Sequence, residues 1–381
     1  MSARRSSLAY VALAVAPLLA SALHAQALPI GSVTGYTGVE ARGLSFQSGL
    51  GVKSITEVAV PFVVVWPTSP SLSFDLGGRY ATVSYAPEAG ATSTLSGLTD
   101  IQARGVYQLV PDIAVLTVAV NLPTGKAQLD SAELPVAGAI ASDMIPFPVA
   151  NFASGFNVTS GLALAVPVAG WAVGAAGSYR VNGTFTPLAD TTACPVSGGK
   201  ASCGYKPGGE FRLRVGADRI VGQSRLSFGF TVSSFGEDQY GSSPIFQSGT
   251  RYIGEGSWTF PIGNVGLSLY AWDLYRSPGT EPVAGTTTVK RNVVTGGVAG
   301  AFQLGASVLR PFFEFRNQAL GSLSTAGRMF SLGARYQMPL GENYTIVPLL
   351  RLDTGHVVNQ VTNQSVTFTG WDVGVTLRAT M

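Results

Sequence analysis

Apolar and polar residues alternate along most of this chain. From Thr99, Asp100, Gln102, Arg104 and Gln108 interleave with Ile101, Ala103, Tyr107 and Leu109. Leu72, Phe74, Leu76 and Tyr80 alternate with Ser73, Asp75, Gly77 and Arg79, and Phe211, Leu213 and Val215 with Arg212, Arg214 and Asp218. The pattern returns at Leu226–Val232, Leu309–Arg316, Phe330–Met338 and Thr369–Arg378. A period of two puts successive side chains on opposite faces of a strand. The uncharged stretch "SGLALAVPVAGWAVGAAGSY" (Ser160–Tyr179) could be mistaken for a membrane helix. Its alternation changes sense at Pro167–Gly170, however, which predicts two strands and a turn.

A soluble sandwich alternates too, so period alone does not choose the environment. Composition does more. Charged residues make up 12% of the chain, about half the usual fraction, and 47 of 381 residues are Gly. The alternating segments run to about ten residues, the length a tilted strand needs to cross a bilayer. The N-terminus adds an export signal: a basic start with Arg4 and Arg5, a short apolar run broken by Pro17, and the small-x-small triplet Ala25–Ala27. Residues 1–27 read as a cleaved signal peptide. Their removal takes away two arginines and no acid, so the formal charge falls from +3 to +1, and nucleic acid is not an expected partner. Together these features predict an all-β fold, a transmembrane antiparallel β-barrel in the outer membrane of a Gram-negative cell. Its partners would be outer-membrane lipid, the barrel-assembly machinery and a small-molecule solute. A secreted sandwich or solenoid is the competing architecture.

Turn signals set the strand number. Short connections are expected near 67–70, 111–112, 167–170, 221–224, 261–264, 305–307 and 339–343, with longer loops at 121–154, 183–209, 235–249, 277–288 and 353–363. Seven tight turns with both termini on the same side predict about 16 strands. The first strand, near Val39–Gln47, alternates poorly; if it served as an internal plug the number would be 14. On this reading residues 28–37 are an N-terminal segment that can lie inside the barrel, and residues 38–381 are the barrel. Trp66, Trp171, Trp258 and Tyr336 lie near short turns, as an interfacial aromatic girdle would. The final stretch "GWDVGVTLRATM" reads as the closing strand.

In such a barrel the polar parity faces the lumen. Candidate lining residues are Asp75, Arg79, Asp100, Arg104, Arg212, Arg214, Asp218, Arg310, Glu314, Arg335 and Asp372. The long segment Leu134–Ser154 is unusual for an exposed loop. It carries Met144, Ile145, Phe147, Val149 and Phe152 with Asp143 as its one charge. Leaving those side chains in water would forfeit about 1.5–3 kcal/mol each, so they are expected to fold inward or against the mouth, where an apolar patch could capture solute. Pro146 and Pro148 favour an extended path there. Cys194 and Cys203, an even count in an exported chain, are expected to form a disulfide within loop 183–209. His24 leaves with the signal, and His356 is expected at an exposed loop edge. "PTGK" (Pro123–Lys126) lacks the upstream glycines of a phosphate loop and reads as a loop opening, and "GEDQYG" (Gly236–Gly241) as a solvated turn. No catalytic, cofactor or metal constellation stands out, and no enzymatic activity is expected.

"GLTDIQARGVYQL" followed by "LTVAVNLPTGK" resembles a family of outer-membrane transporters associated with a phenol-degradation (MetA) pathway. Gly97, Asp100, Tyr107, Leu122, Pro123, Thr124 and Gly125 carry that resemblance. More distantly, the chain is similar to long-chain fatty-acid transporter barrels. The resemblance implies passage of small molecules, apolar or aromatic ones included. The alternative is a structural or surface-interaction barrel with no transport role.

Overall fold

The computed structural model describes residues 32–189, 196–197, 200–201, 204–282 and 285–381. It is a closed antiparallel barrel of 16 strands. They are β1 (Thr34–Phe46), β2 (Val52–Pro67), β3 (Leu72–Pro87), β4 (Ser93–Leu98, continuing as Ile101–Val110), β5 (Ala114–Leu122), β6 (Asn157–Val168), β7 (Trp171–Asn182) and β8 (Glu210–Val221). The wall continues with β9 (Ser224–Phe235), β10 (Arg251–Ile262), β11 (Val265–Arg276), β12 (Arg291–Leu304), β13 (Ser307–Leu320), β14 (Leu323–Leu340), β15 (Tyr344–Val358) and β16 (Ser365–Thr380). Each strand pairs with the next, and β1 pairs with β16 from Thr34↔Thr380 to Phe46↔Phe368. Closure leaves no sheet edge, so the backbone is satisfied without water.

All seven predicted tight turns are present at one end of the barrel. Gly222, Gly263, Gly305 and Gly341 take φ values of 59–70° there, a left-handed conformation that glycine adopts without the clash of a Cβ. At the opposite end, 47–51, 88–92 and 321–322 are also short, with Gly49, Gly51, Gly90 and Gly321 at positive φ, and they were not among the turns expected from the sequence. The loop expected from residue 353 starts only after Val358.

The first strand is part of the wall, and the plug alternative with 14 strands does not hold. Thr34–Thr37 pair with β2, so this part of the 28–37 segment lies in the barrel wall; residues 28–31 fall outside the described residues. The alternation in β1 was faint for a physical reason. Its inner face mixes Glu40, Arg42 and Leu44, because a folded loop covers it, while its outer face carries the small Gly35, Ala41 and Gly43.

The outer face is apolar and open. Phe228 is 52% exposed and Leu332 62%, and Leu76, Leu213, Phe313, Trp371 and Val373 are exposed as well. A belt of this kind is far larger than the apolar patches water tolerates on a monomer, and we read it as lipid-facing. Trp66, Trp171, Trp258 and Tyr336 lie at the tight-turn end of this face, as expected of a girdle. Among the described residues no helix is long and apolar enough to cross a membrane.

Beyond the barrel's long-loop end, Tyr205–Lys206, Glu237–Tyr240, Ser243–Gln247, Thr280–Glu281 and Thr286–Thr287 form a separate five-stranded sheet. "GEDQYG" is therefore a strand of this sheet rather than a solvated turn. Asp238 accepts hydrogen bonds from the Tyr205 hydroxyl and the Gly208 amide, both at 2.7 Å. Cys194 and Cys203 lie outside the described residues. His356 belongs to β15 instead of a loop edge, opposite Arg328 of β14.

Glu88 closes the 47–51 connection. Its Oε1 accepts the amides of Gly49, Leu50 and Gly51 at 2.7, 3.0 and 3.0 Å. The Gly49 amide, then that of Gly51, holds this carboxyl below the usual glutamate range. A depressed folded-state pKa contributes stability that is present above the unfolded value, about 4.3, and lost as pH falls through the folded value. Protection of the Gly49–Gly51 amides, measured against their intrinsic exchange rates, should therefore fall on acidification, and in Glu88→Ala it should be low at every pH. Strong protection in that variant would contradict the clasp.

Candidate functional site

The site is the barrel interior, and the 123–156 loop shapes it. After β5 the chain does not project outward. It forms a short helix, α1 (Leu134–Ile140), then an extended strap that runs down the inner wall. The helix corrects the expectation of an extended path throughout. Pro135 is tolerated because it sits in the first helical turn, where its missing N–H has no partner to lose. Pro146 and Pro148 keep the rest extended.

Met144, Ile145, Phe147, Val149 and Phe152 are all 8% exposed or less. They pack on Leu44, Ile55, Val83, Leu95, Met329 and Phe368 of the wall. These side chains thus fold inward as their hydrophobicity required, but they face the wall and not the mouth. They are not displayed as a capture patch, because the wall beneath them is itself apolar and takes the surface.

Polar tethers reinforce the packing at six points. Arg291 pairs with Asp143 at 2.9 Å. Arg316 donates to the Met144 carbonyl at 3.3 Å. Arg42 lies over the Phe147 ring, 5.9 Å from its centre. Arg79 donates to the Pro148 carbonyl. The Val149 amide donates to Glu57 Oε1 at 2.6 Å, and the Ser154 amide to Asp100 Oδ2 at 2.7 Å. Strap carbonyls and amides that would otherwise be stranded in a dry interface are satisfied this way.

The stretches that carried the family resemblance meet at the root of this loop. Asp100 Oδ1 accepts the Gly125 amide at 2.9 Å, and Thr124 Oγ1 accepts the Ile101 amide at 2.9 Å. The Lys126 amide donates to the Leu98 carbonyl at 3.1 Å. A side chain at Gly125 would collide with the Phe152 carbonyl and the Asp100 amide. Asp100 is therefore a loop anchor more than a lining group. It sits where β4 is interrupted, and the strand breaks there to let the loop dock.

The remaining wall charges divide into two groups. Beneath the strap, Arg42 pairs with Asp353 at 2.6 Å and Asp372 at 3.8 Å, Arg351 with Asp353 at 2.8 Å, and Glu314 with Arg351 and Arg316 at 3.4 Å each. The Arg42 and Asp353 side chains are 3% and 0% exposed. Sealed ions at these sites need one another, since removing one leaves a buried charge uncompensated. Across the lumen, β7–β11 are uncovered. Glu210 gathers Arg180, Arg212 and Arg251 at 3.4, 2.8 and 2.9 Å, and Arg214 pairs with Glu255. Arg180 and Arg212 keep 38% and 33% of their side-chain surface exposed. Arginine predominates among the accessible charges on this side, and Arg291 of β12 and Arg104 of β4 also stay partly exposed, at 37% and 27%.

Ten of the eleven candidate lining residues lie on wall strands at the parity opposite the outer apolar belt, and Asp100 lies in the break of β4. Asp75 pairs with Arg104 at 2.7 Å and Asp218 with Arg225 at 2.7 Å, while Arg310 stands opposite Arg335. Sequence reasoning missed Arg42, Glu57, Glu210, Arg251, Arg276, Arg351 and Asp353. Parity of the neighbouring apolar residues could have found Glu210 and Arg251; Glu57 lies in the near-continuous apolar run of β2, where parity is hidden.

No protein-family model matches the sequence, and neither does any curated protein. Among solved structures, an anion-selective porin from Comamonas acidovorans is similar at 11% identity, over 92% of this chain and 100% of that one, with a TM-score of 0.41. An outer membrane channel from Pseudomonas putida F1 is similar at 13% identity, over 93% and 97%, with a TM-score of 0.40. OccK11 of Pseudomonas aeruginosa is similar at 11% identity, over 93% and 98%, with a TM-score of 0.46.

Proposed function

We propose that this protein is an outer-membrane channel through which small solutes cross, with a preference for anions. One observation carries the reading. A closed barrel with an apolar outer belt holds an inner face on which the strap covers one side and an arginine-rich wall, β7–β11, stays open on the other. Fixed charge in a narrow, low-dielectric passage concentrates the opposite ion. The strap sets the width of that passage, and the apolar and aromatic inner residues beside it suit solutes with an apolar body. Export by the N-terminal signal and insertion by the barrel-assembly machinery complete the reading. Liposomes containing the refolded protein should swell in small organic solutes, faster for anions than for uncharged solutes of equal size. Swelling no faster than in protein-free liposomes would contradict it.

A further inference from the structure

Three arginines meet in register at the long-loop end of the inner wall. In register across the wall, Arg251 of β10 lies opposite Arg276 of β11, and Arg276 opposite Arg291 of β12. Like charges directly across a ladder are destabilising. The outer two are compensated, Arg251 by Glu210 at 2.9 Å and Arg291 by Asp143 of the strap at 2.9 Å. Arg276 has no carboxylate within ion-pair distance among the described residues, and its Nε is buried without a partner. Because Glu210 also holds Arg180 and Arg212, five guanidinium groups share two carboxylates at the long-loop end of the lumen. One of those carboxylates belongs to a loop instead of the wall.

The strand below extends the pattern. Leu274 and Trp272 share the inner face with Arg276 and are partly exposed. At about 3.3 Å per residue they lie roughly 7 and 13 Å beneath it. Trp272 gives one ring face to the Arg316 guanidinium, 5.0 Å away. The β11 inner face therefore offers a cation at the mouth, followed by an apolar and then an aromatic step toward the middle of the barrel.

We propose that Arg251, Arg276 and Arg291 form a recognition site at the mouth for the carboxylate of a small solute, whose apolar or aromatic body lies along Leu274 and Trp272, and that this carboxylate competes with Asp143 for Arg291. The site rests on the channel reading and names the class of solute that the channel takes. Arginine presents paired donors that fit a carboxylate in bidentate fashion. Because Arg291 also holds the strap, a bound carboxylate weakens the Asp143 tether. Binding and strap position are thereby linked, and by reciprocity loss of the tether strengthens binding.

Two arms separate the site from the channel. Benzoate binding to the folded protein in detergent is measured by titration calorimetry, and benzoate block of chloride current in planar bilayers. Wild type should bind benzoate, with benzyl alcohol far weaker and acetate in between. Arg276→Gln should lower benzoate affinity at least tenfold, and Asp143→Asn should raise it. Opposite signs from two inner-face variants exclude a general folding defect. Absent benzoate binding, or equal affinity in wild type and Arg276→Gln, overturns the site whatever the current shows. Unchanged affinity in Asp143→Asn overturns the competition. Binding in the calorimeter with no chloride current in any variant leaves the site standing and sinks the channel reading.

Discussion

Replacing Phe228 with Arg should impair assembly of the barrel far more than replacing its neighbour Ser227 with Arg. The two positions sit on opposite faces of β9. Phe228 is 52% exposed on the outer face, its ring tilted against that of Trp171. Ser227 faces inward, in register with Asp218 on one side and Ser257 on the other. An outward arginine in a membrane barrel costs about 2–4 kcal/mol at mid-bilayer and about 0–1 kcal/mol at the interface, and Phe228, one step inside the girdle residues Trp171 and Trp258, lies between these depths. An inward arginine at 227 meets water and the carboxylate of Asp218. The difference is read by the fraction of protein that reaches the folded, heat-modifiable form in membranes. Equal yields from the two variants would mean that the outer face does not meet lipid.

The second large effect concerns the strap. Met144→Ala with Phe147→Ala should detach it while the wall stays closed. Each side chain is buried against the inner wall, and truncation of such residues costs about 2–5 kcal/mol. None of that packing holds wall strands to one another, since every strand is already paired on both sides. The tethers that remain are single hydrogen bonds and one partly exposed ion pair, Arg291–Asp143, which contributes at most about 1 kcal/mol. The freed segment should become protease-sensitive between residues 141 and 154, with barrel content by circular dichroism unchanged. Collapse of the barrel in this variant would instead assign the strap a role in holding the wall.

Much of this molecule was legible before any coordinates. Period-two alternation placed Phe74, Phe228 and Phe330 outward and Arg79, Ser227 and Ser331 inward, because a strand with lipid on one side and water on the other has no freedom to do otherwise. Tight turns were legible because they need residues such as Gly222 and Gly263. The inward fate of Met144 and Phe147 could be read from the cost of leaving them in water. Their destination could not. Whether such residues line a mouth or seal against a wall depends on what the wall offers, and Leu44, Ile55 and Met329 become one surface only after closure brings β1, β2 and β14 together. The same limit applies to charge. Arg42 and Asp353 are 311 positions apart and form one ion pair, and the crowding of Arg251, Arg276 and Arg291 exists only in register. Asp100 was seen as one more polar residue in an alternating row, since its role depends on a loop that returns to it from Gly125 and Ser154.

Single-channel recording of the wild type beside the Met144→Ala/Phe147→Ala variant tests the central claim most directly. Folded wild-type protein in a planar bilayer should give discrete steps with a reversal potential displaced toward that of the anion in a salt gradient. The variant should give larger steps, because the strap no longer occupies its side of the lumen. Folded wild-type protein that inserts and carries no current, or steps of the same size in both proteins, would contradict a channel narrowed by this strap.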